Sequence, residues 1–355
     1  WLETYLHARF PQHELVVRNL GYSGDELELS KRLRSRDFGT PDQWLSGSAP
    51  IPQKAKLNAD APVRENRFEL TDTKADVILA CFGYNESFAG AAGLDAFKKS
   101  LGGFIEYTLA QKYNGKSAPR LVLISPIAHE NLGSPNLPDG AANNERLKLY
   151  VAVMKEVAQS REVPFVDLFT PTLNRSQLGS TVKLLERIEK TDKRRNEPDF
   201  VSDSSSTLTI NGIHQTELGD DVVARLIMKS LFGELPESGG SASLEKLRSA
   251  VNDKNFYWFH RYRTTDGYST YGDRAFLKFV GGQTNYEVGQ RELEVLDLMT
   301  SNRDRRVWAA ARGQDLAVKD DNLPSFVPVK TNKPGPLEGG LHAFLKAEAA
   351  IEKMT

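Results

Sequence analysis

DVILACFGYNESF, residues 76–88, decides how the chain is read. After Asp76, residues 77–82 form an unbroken apolar run closed by glycine. A run that short, with no polar alternation, fits a strand of a parallel sheet buried on both faces. Three more runs share the pattern: ELVVRNL at 14–20, RLVLISPI at 120–127 and VPFVDLF at 163–169. Between and after them the period changes to 3.6. Residues 93–112 place Leu94, Phe97, Leu101, Phe104, Ile105 and Leu109 on one helical stripe. Residues 143–162 do so with Leu147, Tyr150, Val151, Met154 and Val157, and residues 216–232 with Leu218, Val222, Val223, Leu226, Ile227 and Leu231. Strands alternating with helices at this spacing predict an α/β fold, a flavodoxin-like three-layer sandwich around a parallel sheet.

Residues 1–10 read as the end of a helix that Pro11 stops. Residues 37–75 lack periodicity apart from a short extended run at 67–70. Residues 182–196 (VKLLERIEKTDKRRN) read as a solvated helix face, its basic residues interleaved with acids. The α/β unit is expected to span 1–235. PESGGSAS at 236–243 reads as a linker or loop. Residues 244–340 read as a C-terminal extension, helical or irregular, with helices at 244–251 and 286–312. The aromatic stretch NFYWFHRYR at 255–263 is expected to pack on the α/β unit, because exposed it would invite aggregation. Residues 341–355 read as a tail leading to a further domain.

The composition narrows the function classes. Of 355 residues, 39% are hydrophobic and 26% charged, and the net charge is −1. That balance gives no reason to propose nucleic acid as a partner. No run approaches the roughly 20 apolar residues of a membrane span, so no membrane insertion is expected. The single cysteine, Cys81, excludes an intrachain disulfide and a cysteine-based zinc site; inside its apolar run it reads as a buried small hydrophobe. No motif calls for a cofactor or a metal.

The candidate chemistry lies where strand-like runs end. NLGYSGDE (19–26) follows the 14–20 run and brings Gly24. GYNE (83–86) follows the 76–82 run and brings Asn85. NGIH (211–214) precedes the last helix of the α/β unit and brings His214. In open α/β sheets, ligands gather at the carboxyl ends of strands. A backbone N–H at Gly24 and an amide at Asn85 suit an oxyanion; an imidazole at 214 suits a general base. Each residue has a plainer reading too. Gly24 can be a turn glycine needing positive φ, Asn85 a helix N-cap, His214 a loop histidine. His129 and Glu130, in SPIAHEN, also follow a strand end and are candidates to line the cleft, as is Glu86. His7, His13 and His342 read as surface residues, and His260 as one packed among aromatics.

In order and placement, the three motifs resemble blocks II, III and V of the SGNH (GDSL-type) hydrolases over residues 1–232. The resemblance implies an ester hydrolase, an acylhydrolase or esterase. Gly24 and Asn85 would be its oxyanion donors and His214 its base. Three departures stand out. The Gly-Asp-Ser of block I, with the nucleophile, does not occur in the sequence, which begins inside the helix expected to follow it. The acid usually found three before the histidine is Asn211, and the residue after Asn85 is Glu86 where Asp is usual. Asn211 can accept a hydrogen bond from the imidazole but cannot stabilise an imidazolium by charge; in a serine protease that exchange costs about 10⁴ in rate. Without the nucleophile, this chain alone is expected to be inactive. The resemblance also implies that the strand carrying block I lies between the 14–20 and 76–82 runs.

NLGYSGDE, SRDFGTPDQWL (35–45), FGYNESF and the aromatic stretch further resemble the SGNH module of large multidomain proteins of planctomycete type. That implies export, additional domains, and an acyl or acetyl ester as substrate, on a small molecule or a carbohydrate. The alternative class is a non-catalytic binding module of the same fold, holding a carbohydrate or a partner domain. A nucleotide-binding flavodoxin-like protein is disfavoured, because neither G-x-G-x-x-G nor G-x-x-x-x-G-K is present.

Overall fold

The computed structural model describes residues 1–21, 24–27, 73–174, 207–233, 241–263, 270, 273–278, 280–325 and 327–328. The extended run expected at 67–70, the charged helix at 182–196, His342 and the tail at 341–355 lie outside the described residues. The fold is α/β, with a small parallel sheet and many helices. Strands β1 (Val77–Cys81), β2 (Arg120–Ile124) and β3 (Phe165–Val166) lie in the order β1-β2-β3. Val77 pairs with Arg120 and Cys81 with Ile124; Leu123 pairs with Phe165.

The apolar run of β2 is explained by what covers it. Leu121 and Leu123 face a core with Phe97, Leu101, Phe104 and Ile105 of α2 (Leu94–Ala110) and Tyr150, Met154 and Val157 of α3 (Ala141–Ser160). Val122 and Ile124 point the other way, to a core with Val166, Leu168 and Ile227. Ile227 belongs to α5 (Glu217–Phe232), which follows the short α4 (Phe169–Leu173). A strand buried on both faces cannot alternate with polar residues, which is why its sequence reads as continuous.

Helix α1 (Leu2–Arg9) packs Tyr5 against Ala224 and Met228 of α5. Helix α6 (Ser241–Tyr262) packs on α7 (Asn285–Ala311) through Leu247, Ala250, Val251, Val307 and Ala310. Thr284 and Glu287 close α7 with a reciprocal capping box. The linker reading at 236–243 overlaps helix from Ser241 onward, and 244–262 lie in one continuous helix.

The 14–20 run is the main correction. Among the described residues it forms no ladder with β1 or any other strand. Side chains of α6 and α7 take its carbonyl groups instead. Trp308 Nε1 donates to Leu15 O at 2.7 Å, Lys254 Nζ to Val17 O at 3.1 Å, Trp258 Nε1 to Asn19 O at 2.9 Å and Tyr262 OH to Leu20 O at 2.9 Å. Arg18 meets Asp304 at 2.9 Å. The aromatic residues of α6 thus divide. Trp258 and Tyr262 are buried on this segment, whereas Phe256, Phe259 and His260 are exposed.

Two smaller expectations change for electrostatic and steric reasons. His7 is buried, 3.6 Å from the Glu3 carboxylate, which Lys254 also meets at 2.7 Å. Cys81 is exposed, because it ends an edge strand. Yet surrounding protein pushes its thiol up to about 11.

Candidate active site

Four loops lie at the carboxyl edge of the sheet, joined in two pairs by hydrogen bonds. The first two are joined by one side chain. Glu86, buried, accepts from Gly83 N at 2.9 Å within its own turn and from Leu27 N at 2.9 Å across to the other loop. Each carboxylate oxygen therefore holds a backbone N–H, and the 24–27 loop is fixed against the turn after β1. Gly24 has φ of 78°, a conformation that favours glycine. Asn85 stands at the N-cap position of the 3-10 turn Glu86–Gly93, but its backbone is helical and its side chain makes no capping bond. Among the described residues its amide has no hydrogen-bond partner, and the residue is half-buried. A cavity of about 30 Å³ behind this bridge, between Leu27, Glu86, Phe97 and Tyr150, has room for about one water.

The third loop, after β2, stands beside the second. Ser125 Oγ accepts from Leu168 N at 2.8 Å, tying β2 to the start of α4. His129 is buried and held on three sides by α3. Asn144 Oδ1 accepts its N–H at 2.8 Å, Asn144 Nδ2 donates to its carbonyl at 2.8 Å, and Asn143 Nδ2 lies 2.9 Å from its Nδ1. Asn143 also accepts from Arg146, whose guanidinium lies 5.6 Å from the ring centre of Phe88.

The fourth loop is a small hairpin. Thr209 bridges Gln215, Ile210 N donates to His214 O at 2.8 Å, and Thr216 N donates to Leu208 O at 2.9 Å. Asn211 closes its turn by accepting from His214 N at 2.9 Å. The same amide faces the His214 ring, with Nδ2 3.0 Å and Oδ1 3.1 Å from Nδ1. His214 is exposed. Thr216 then caps α5 by accepting from Gly219 N at 3.1 Å. Gly219 is required by proximity, since a Cβ there would collide with the Leu208 carbonyl.

Glu130 joins the third loop to the hairpin. Its carboxylate accepts from Leu208 N at 3.1 Å, Thr209 N at 2.8 Å and Thr209 Oγ1 at 2.7 Å. Its own N–H donates to Gly212 O at 2.8 Å. Gly212, with φ of 93°, lies where a side chain would strike the His129 ring.

Contacts thus run from 24–27 through 83–86, and from 129–130 to 208–216. Asn211 and His214 touch; His129 and Glu130 brace the hairpin; Glu86 braces the first loop. No carboxylate bonds His214 among the described residues. Asp221, one of the acids near it in sequence, is instead buried, accepting from Tyr5 OH and from Arg225 Nε at 3.0 Å. The described residues contain no group of three His, Cys, Asp or Glu arranged to hold a metal, and no helix long and apolar enough to cross a membrane. Sequence reading missed Asn143, Asn144, Arg146 and Thr209. Their roles come from tertiary contact and leave no spacing signature. The chain matches no protein-family model, no curated protein and no solved structure.

Proposed function

We propose that the chain is the oxyanion-and-base portion of a serine ester hydrolase with the SGNH fold. The observation that carries this reading is the His214 imidazole. It is exposed on a hairpin tied to the carboxyl edge of a parallel sheet, with its Nδ1 against the side chain three residues earlier. That leaves Nε2 for a reactant. In the proposed reaction a serine Oγ, on a Gly-Asp-Ser segment outside this sequence, attacks the ester carbonyl as Nε2 takes its proton. The Gly24 N–H and the Asn85 amide hold the resulting oxyanion. The imidazolium then gives its proton to the leaving alcohol, and water hydrolyses the acyl-serine by the same route. Acyl or acetyl esters of small molecules or carbohydrates are the substrate class, and an exported protein with further domains is the setting.

A fluorophosphonate probe, which labels activated serines, tests this on the gene product as its own cell makes it. Labelling should occur and should vanish in His214→Ala. Absence of labelling would overturn the proposal in favour of the second reading, a non-catalytic module that binds carbohydrate or a partner domain. The uncharged Asn211 beside His214 is the observation that favours that second reading.

A further inference from the structure

We propose that Glu130 is a positioning residue for His214, which rests on the hydrolase reading above. The His214 side chain has one hydrogen-bonding neighbour among the described residues, Asn211, and both belong to the same hairpin turn. The turn itself reaches the loop after β2 through one backbone bond, Glu130 N to Gly212 O at 2.8 Å, which any side chain at 130 keeps. The side-chain relation is made at the base of the hairpin, where two successive N–H groups, of Leu208 and Thr209, converge with the Thr209 hydroxyl on one carboxylate.

Both residues are buried, so these donors have little water to replace the carboxylate. Hydrogen bonds to a charged acceptor are roughly twice as strong as neutral ones. Glu130 lies six residues beyond the end of β2, and the residue before it is pinned to α3 by Asn143 and Asn144. The carboxylate therefore transmits the position of β2 and α3 to the base. Thr209 extends the clamp, because its hydroxyl donates to Glu130 and accepts from Gly212 N at 3.0 Å, reaching the turn itself.

Glu130→Gln keeps the size of the side chain but replaces one acceptor oxygen with an NH₂ group aimed at N–H donors. The test compares amide hydrogen exchange and the ¹⁵N signals of the His214 ring in the 355-residue chain and in this variant. The expected result is exchange faster by about tenfold or more at Leu208 and Thr209, with shifted His214 nitrogen signals. Leu121 and Leu123 of β2 should keep their protection. Should Glu130→Gln also release β2, Thr209→Val decides. It is close in shape, loses the hydroxyl, and should speed exchange at Gly212 and move the His214 signals with the sheet intact. Unchanged hairpin exchange and unchanged His214 signals in a folded variant overturn the proposal. Turnover is measured separately. A hairpin loosened in an inactive protein sinks the hydrolase reading and keeps the positioning role; an active enzyme with an unmoved hairpin does the reverse.

Discussion

Asn211 presents both polar atoms of its amide to a single nitrogen of His214, Nδ2 at 3.0 Å and Oδ1 at 3.1 Å. The consequence is chemical. If Oδ1 accepts from Nδ1–H, the lone pair of Nε2 is available and the ring can act as a base. If Nδ2 donates to Nδ1, the proton sits on Nε2 and it cannot. Oδ1 already accepts from the His214 N–H at 2.9 Å and the Ile213 N–H at 3.3 Å, which weakens its claim on the ring.

Asn211→Asp should remove the ambiguity, since a carboxylate only accepts. The ¹⁵N signals of His214 should move to the Nδ1–H tautomer, and esterase turnover should rise tenfold or more, toward the roughly 10⁴ that a correctly oriented triad acid is worth. An unchanged tautomer would show that Asn211 does not set the ring's proton.

The hairpin's approach to α5 predicts a contrast between two glycines. Gly219→Ala would drive a methyl group into the Leu208 carbonyl, a backbone atom that cannot swing aside. It should cost about 1–3 kcal/mol or more and displace the His214 hairpin. Gly103→Ala, in α2 with nothing near the added atom, should stabilise by about 0.5–1 kcal/mol. Urea midpoints decide both; equal effects would remove the close packing.

Much of this was legible in sequence, and what was not has a common cause. The run at 120–127 reads as a strand from Arg120 to Ile124 because that strand is buried on both faces, and the three apolar helices because burial on one stripe imposes a period; the run at 76–82 also forms a strand, although Val77 and Cys81 at its ends are exposed. The run at 14–20 has the same composition as a strand. Its carbonyls, however, are taken by Trp308, Lys254, Trp258 and Tyr262 from more than 230 residues away, which no local pattern records. His7 reads as a surface residue for the same reason, since Lys254, which meets the same Glu3 carboxylate, arrives from α6. At the site, Asn211 and His214 were readable because they lie three residues apart. The Glu130 clamp joins positions 78 and 79 apart in sequence.

The buried pair Glu3 and Lys254 should govern acid stability. Burial alone would raise the Glu3 carboxyl. The Lys254 ammonium, with hydrogen bonds from His7, Lys254 and Asn255, holds it below its ordinary value. The folded state thus favours ionised Glu3. That contribution is complete above the unfolded value of about 4.3 and is lost as pH falls through the lowered folded value. Lys254→Met leaves Glu3 buried without its counter-ion and should cost about 3–5 kcal/mol near neutral pH. Glu3→Gln should flatten the acid limb of a urea-midpoint profile; an unchanged limb would show that Glu3 does not control it.

Cys81 combines solvent contact with a thiol pushed up to about 11 by burial. At pH 8 its thiolate population should be about two orders of magnitude below that of an ordinary cysteine, and alkylation by iodoacetamide correspondingly slow. The rate should keep rising with pH toward 11. A plateau near pH 9 would mean that the thiol is freely solvated.

The most direct test of the central claim is turnover of 4-nitrophenyl acetate by the gene product as its own cell makes it, beside the 355-residue chain. The account predicts hydrolysis by the gene product that falls by about 10²–10³ in Asn85→Ala and further in His214→Ala, with none from the chain alone. No hydrolysis, or hydrolysis indifferent to both substitutions, would contradict the assignment of these residues. Hydrolysis by the 355-residue chain that disappears in His214→Ala would instead contradict the placing of the nucleophile outside this sequence.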